Sequence, residues 1–269
     1  MSTTIQQART RPPPTSGRAS LRLQQVAAFA VAAGLWFVFA RSGMVSNSVL
    51  PRLERVASTL WDLVSTGGYW LAVRQTLQSS LIGLLAAFAV AIPAGLLTGT
   101  YPLGERLTRI SIDVGRSFPV VALLPVFLLI LGASQRMEST VIFCACVFPL
   151  FLQAQYGARD VSSGVKETAR AYRIGGLLLF GKVILPGALP SIMTGLRLAA
   201  STSVLVAVGV EILSARPGLG HQISTAQLDG DAPQAFAYVV TAACVGFAVN
   251  WGCERAEHHF LRWRMERGS

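Results

Sequence analysis

Apolar residues in this chain fall into long runs, and the polar residues gather in short segments between them. The runs are Leu23–Ala40, Leu77–Thr100, Phe118–Leu131, Thr140–Gln155, Pro190–Leu213 and Ala235–Trp251. A bilayer core of about 30 Å is crossed by roughly 20 helical residues. Uninterrupted runs of this kind predict helices, whose backbone groups are satisfied within the segment. The expected architecture is an all-α, polytopic membrane bundle of about six transmembrane helices. The run Phe118–Leu131 is short and holds Pro119 and Pro125. Proline removes a backbone donor, so this kinked span is expected to face the bundle interior or a water-filled cavity.

Between the first two runs, Leu53, Val56, Leu60 and Leu63 recur at three- and four-residue steps among Arg41, Arg52, Arg55 and Arg74. This spacing predicts an amphipathic helix lying against the bundle or the membrane lipid. Residues 1–22 are polar, with four arginines and the run Pro12-Pro13-Pro14, and are expected to form a disordered cytoplasmic tail. A cleaved signal peptide is the alternative for the first run, since Val38-Phe39-Ala40 faintly resembles a cleavage site. Its apolar part exceeds the usual ~7–15 residues, which favours a retained helix. The domain layout is then a tail over 1–22, a transmembrane domain over 23–254 with its core in 74–254, and a basic cytoplasmic tail over 255–269.

Composition agrees. Hydrophobic residues make up 52% and charged residues 13%, against about 25% charged in soluble proteins. The net charge of +10 would point to nucleic acid in a soluble protein. Here the basic residues lie between apolar runs, as the positive-inside rule requires, and no nucleic-acid partner is expected. With the N-terminus inside, sixteen Lys and Arg fall on the cytoplasmic side and six on the other, with Arg197 inside a span. Both termini and segment 156–187 are therefore placed in the cytoplasm. Cys144, Cys146, Cys244 and Cys253 lie in or beside apolar runs without a CxxC pair. No disulfide and no metal site is expected.

Within segment 156–187, Asp160–Tyr172 favours a helix that Ser162 or Ser163 can cap. Glu167 and Arg170 stand three residues apart, a spacing that permits an ion pair. Ala169 and Ala171 keep the helix slim and Tyr172 adds an aromatic anchor. Gly175-Gly176 is expected to end it, and Leu177–Ile184 to form a second arm leading to Pro186. Pro186 and Pro190 would set the start of the next span. On helix physics alone, a solvated surface loop explains these features equally well.

The order of features across Lys166–Arg197 nevertheless resembles the EAA loop of membrane permeases in binding-protein-dependent ABC importers. Glu167-Thr168-Ala169 matches its Glu-Ala-Ala opening, with threonine for the first alanine, and Ile184-Leu185-Pro186 matches its hydrophobic-Leu-Pro ending. Arg173 replaces the family's glycine, so the turn between the arms is expected to be displaced toward Gly175-Gly176. Thr76-Leu77-Gln78-Ser79-Ser80-Leu81, Phe118–Pro125, Leu189–Leu198, Glu211 and Gly218-Leu219-Gly220 are similar to the nitrate, sulfonate and taurine branch. The resemblance covers roughly residues 74–222. It implies a type I ABC importer permease fold and a pore-forming subunit for a small anionic solute. It implies three protein partners: a separate ATPase that holds ATP and Mg, an extracytoplasmic substrate-binding protein, and a second copy of the chain. The coupling residues it implies are Glu167, Thr168, Ala169, Arg170, Tyr172, Gly175, Gly176, Leu185 and Pro186.

Polar residues inside the runs supply candidates for a pathway or gate. Ser201, Thr202 and Ser203 cluster midway along the fifth run, where hydroxyls either pack helices closely or meet a solute. Glu211 lies toward the outer end and either bonds a neighbouring helix or gates a cavity. Arg197 is fourteen residues away, roughly 21 Å at ~1.5 Å per residue, too far to pair with it. Arg197 is instead expected to snorkel toward headgroups. The chain holds no GxxxxGK[ST], HExxH or G-x-S-x-G run, so no catalytic site and no cofactor of its own is expected. The rival reading is a secondary transporter or channel without an ATPase, which often carries internal repeats; none is evident here.

Overall fold

The computed structural model describes residues 18–42, 46 and 49–260. The expected tails over 1–17 and 261–269 lie outside the described residues. The chain divides into two units, one through Leu53 and one from Glu54. In the first, α1 (Arg18–Arg41) covers the first apolar run and five residues assigned above to the tail. Trp36 Nε1 donates to Pro51 O at 3.1 Å, and the Arg41 guanidinium sits 4.3 Å from the Phe37 ring centroid.

The second unit is helical throughout its regular elements. The short amphipathic α2 (Leu53–Val64) turns its Leu60 and Leu63 onto the start of α3 (Gly67–Thr100). Thr66 caps α3 by accepting from Tyr69 N–H at 3.4 Å. Then come α4 (Pro102–Ser117), a 3₁₀ turn (Val120–Leu123), α5 (Leu124–Leu131) and α6 (Gln135–Arg159). After α6 the chain forms α7 (Ser163–Ala171), α8 (Gly176–Leu179), a π-helical segment (Phe180–Ile184) and α9 (Leu185–Ser214). It ends with α10 (Leu219–Leu228) and α11 (Ala232–Phe260). Residues 255–260, assigned above to the basic tail, continue α11.

Among the described residues, four helices are long and apolar enough to cross a membrane, or five if α4 and α5 form one bent span. The kinked span expected over Phe118–Leu131 is therefore the second limb of a broken one that begins in α4. Its two parts, Leu103–Ser117 and Val120–Leu131, meet at 76°. The cause is local: Pro119 pushes Phe118 out of the helical region, and Phe118 has φ −79° and ψ 126°.

The core joins α3, α6 and α9. Ala87 and Ala91 of α3, Ala154 and Ala158 of α6, and Ala188, Ala199 and Ala207 of α9 are fully buried between larger residues such as Leu96, Leu150 and Ile192. In lipid no hydrophobic force separates helix from tail, so association rests on close contact, and small side chains allow it. A second cluster of Tyr69, Ala72, Val73, Leu219 and Tyr238 ties α3, α10 and α11. Tyr69 and Tyr238 stack with centroids 6.1 Å apart, and the Tyr69 hydroxyl lies 3.1 Å from that of Thr241.

Chain direction separates two ends. The starts of α3, α6 and α11 share one end with the finish of α9, and the α7–α8 segment lies at the other. From Glu138 to Arg159, α6 spans roughly 32 Å at ~1.5 Å per residue, the depth of a bilayer core.

Candidate functional site

At the α7–α8 end, α7 presents Glu167 and Thr168 to solvent while burying Ala169. Tyr172, just beyond the helix, is 79% exposed. The side chain of Arg170 lies outside the described residues, so its expected pairing with Glu167 is not assigned. α7 closes in a Schellman turn. Ile174 N–H donates back to Ala169 O at 3.0 Å, and Tyr172 N–H donates to Thr168 O at 3.1 Å. Arg173, between them, has φ 51°, the left-handed region that such a turn requires and that glycine adopts most readily.

The stop thus falls at Arg173 and not at Gly175-Gly176, and the turn is not displaced. An L-residue in this region costs about 1–2 kcal/mol. The two terminal hydrogen bonds, each contributing about 0.5–1.5 kcal/mol, offset that cost. Gly175 and Gly176 form an exposed link into α8, where Leu179 N–H donates to Gly175 O at 2.9 Å. From Gly176 the helix runs through the π segment into α9 without leaving right-handed backbone at the junctions Leu179 and Leu185. The second arm is therefore the first part of the long helix itself. Pro186 follows closely on the π segment, and Pro190 lies one turn further inside the same run.

Ser201, Thr202 and Ser203 do not converge. Successive helical residues point about 100° apart, so each meets a different neighbour. The Ser201 hydroxyl bonds Arg197 O at 3.2 Å and lies 3.4 Å from Asn250 Oδ1 on α11. The Ser203 hydroxyl is buried and donates to Ala200 O at 2.8 Å. Thr202 is half-buried on the face that carries the exposed Leu198 and Leu205, and its hydroxyl donates to Leu198 O at 2.9 Å. Arg197 does not simply snorkel, because its Nη1 lies 3.4 Å from Glu257 Oε2 on α11.

Glu211 sits at the opposite end from α7 and is fully buried. Its Oε2 accepts from Gly220 N–H at 2.8 Å and from the Thr76 hydroxyl at 3.0 Å. Thr76 Oγ1 in turn accepts from Leu219 N–H at 2.9 Å. The first residues of α10 are thereby capped by side chains from α9 and α3, because the N-cap residue, Gly218, has none. A Cβ on Gly218 would strike the Glu211 carboxylate, and one on Gly220 would strike Val208 O. Glu138 of α6 is fully buried beside this cap, with its Oε2 3.6 Å from Arg216 Nε on the α9–α10 connection.

Thr76 and Glu138 escape a reading of the sequence: Thr76 opens an apolar run, and Glu138 precedes the fourth. The two glycines flanking Leu219 were the visible signal of a close approach. Also unseen was Gln155, buried at the loop end, whose Nε2 donates to Thr98 and Thr108 hydroxyls at 3.1 Å each. Beside it a cleft of about 380 Å³ opens between α4 and α6, with Arg109, Arg116 and Arg159 in its lining.

The geometry is that of a multi-helix membrane bundle with a solvent-exposed helical loop leading into a long span. Residues 91–255 match the family described as binding-protein-dependent transport system inner membrane component, and this chain belongs to that family. It is a multi-pass inner-membrane ABC importer permease. The chain is 30% identical to the aliphatic sulfonates transport permease protein SsuC of Escherichia coli (strain K12), covering 85% of this chain and 87% of that one. It is 28% identical to the nitrate import permease protein NrtB of Leptolyngbya laminosa, with 83% and 82% covered. In fold it is similar to a chain of the inward-facing MetNI methionine ABC transporter. The TM-score is 0.64 at 19% identity, covering 71% of this chain and 96% of that one.

Proposed function

We propose that this permease forms half of a two-fold pathway for a small oxyanion of the sulfonate or nitrate kind, and that α7 receives the push of a separate ATPase. ATP and Mg bind on that partner, and an extracytoplasmic binding protein delivers the solute. Both termini and the 156–187 loop lie in the cytoplasm in this reading, as the distribution of Lys and Arg requires. The solute class rests on the names of the two relatives; in the α4–α6 cleft Arg116 pairs with Asp113 and Arg159 with Glu105, so that cleft adds no support for an anion. In the coupling role, Glu167, Thr168, Arg170 and Tyr172 meet the ATPase, the buried Ala169 seats the helix, and Gly175-Gly176 with Leu185-Pro186 lead the motion into α9.

The observation that carries this reading is the exposed α7, closed by a hydrogen-bonded turn and followed by a helix unbroken from Gly176 to Ser214. A displacement applied to α7 would reach the pathway along that helix, and ATP drives the cycle through its different affinity for the two states. The test is co-purification of the permease with its ATPase. Glu167→Lys is expected to reduce the recovered ATPase at least several-fold while the permease itself remains folded. Undiminished assembly and transport with that substitution would refute the role of Glu167.

A further inference from the structure

The α10 cap lies roughly a bilayer's depth from α7, yet α9 runs between them. We infer that Glu211 is a positioning residue that fastens α10 to α9, so that α10 follows α9 when α7 is displaced. The inference rests on the coupling role proposed for α7.

Three features make α9 and α10 one mechanical body at this end. The connection between them is short, residues 215–218, and Glu211 reaches across it to take the Gly220 N–H. Gly218 and Gly220 approach the Glu211 carboxylate and the α9 backbone so closely that no side chain fits at either position. Thr76 of α3 accepts from Leu219 N–H and donates to Glu211 Oε2, so the same carboxylate serves both helices. The Glu211 carboxyl oxygen satisfies a buried helix N–H that would otherwise be orphaned, and an unmet donor in such a setting is costly. The Glu138–Arg216 pair adds a tie from α6 to the connecting segment.

The far end of α10 is held differently. Gly230 turns the chain with φ 73°, Leu228 is 85% exposed, and the helix C-terminus is closed by local bonds from Asp229 N–H to Thr225 O, Gly230 N–H to Gln227 O and Asp231 N–H to Ala226 O. The polar tie of α10 to α9 is thus at its start, while along its length Leu219 and Ile223 also pack with Tyr238 and Ala242 of α11.

The experiment uses the full permease with its ATPase in lipid vesicles. Spin labels are introduced through a non-natural amino acid at Leu228 in one preparation and at Tyr172 in another. The distance between the labels of the two permease copies is measured with and without a non-hydrolysable ATP analogue. Nucleotide is expected to shift the distances at both positions. In Glu211→Ala and in Thr76→Val, the shift at Tyr172 is retained and the shift at Leu228 is lost. Glu211→Gln keeps a carbonyl acceptor for Gly220 N–H and is expected to restore it.

A merely structural role would not separate the two labels, since a destabilised protein would alter both. A Leu228 label that stays still in the unaltered protein while Tyr172 moves would overturn the inference and leave the coupling reading intact. An equal Leu228 shift in the Ala and Val variants would overturn it as well. A Tyr172 label that ignores nucleotide would remove the coupling reading, and this inference with it. Should Glu211→Ala fail to assemble, Thr76→Val alone decides, because it removes one hydroxyl at nearly constant volume.

Discussion

Arg173 offers a direct test of how the α7 turn is built. Its φ of 51° places an L-residue where the penalty is about 1–2 kcal/mol. Arg173→Gly removes that penalty, while the greater freedom of glycine in the opened chain returns about 0.5–1 kcal/mol. The net gain is about 0.5–1 kcal/mol, or roughly a two- to fivefold rise in the closed-to-open ratio of the turn. Arg173→Val has the opposite sign, since a β-branched residue is a genuine outlier at positive φ. The readout is hydrogen exchange at the Ile174 amide, which donates to Ala169 O only while the turn is closed. Exchange there is expected to slow two- to fivefold in the glycine variant and to accelerate in the valine variant. Amides in the α3–α6–α9 core serve as an unchanged reference. Equal exchange in all three proteins, or faster exchange with glycine, would refute the argument that backbone handedness governs this turn.

Two other substitutions probe the bundle. Gly220→Ala drives a methyl into Val208 O and Glu211 Cβ and is expected to destabilise the protein by about 1–3 kcal/mol, as overpacking does. Gly252→Ala meets nothing within 4 Å and should be neutral or slightly stabilising in its helix, so thermal unfolding in detergent compares the two. Ser201→Trp is expected to lower expression or thermal stability because Ser201 packs against Asn250. Thr202→Trp, on the face of Leu198 and Leu205, should fold; transport by that variant then tests whether this face meets the solute, and an unchanged rate in vesicles would exclude it.

How much of this was legible in the sequence varied with the range of the interactions. The long spans were, because each is declared by its own run of apolar residues. α2 was also readable from the spacing of Leu53, Val56, Leu60 and Leu63. The kink at Pro119 was expected, but α4 as its other limb was not. The polar face of α4 hid a helix whose Leu103, Leu107, Ile110 and Val114 form an exposed apolar stripe at four- and three-residue steps. In the loop, residue identity misled: glycine marks where a left-handed turn is easy, while hydrogen bonds settle where it occurs. At the cap, Thr76 and Glu211 are 135 residues apart, and nothing local signals that they meet. The hydroxyls at 201–203 do not converge for the converse reason, since neighbours in sequence face different directions on a helix.

The π segment Phe180–Ile184 carries one residue more than an α-helix would use over the same stretch. Each helical residue advances the azimuth by about 100°. Removing Gly181, which has open space around it, would let the segment relax to α with the flanking turns kept nearly in phase, because the wider π turn already absorbs the surplus residue. A residue can thus be lost at this joint without re-aiming α7 against α9, whereas a deletion within the regular part of α9 would turn one half of the helix against the other by about 100°.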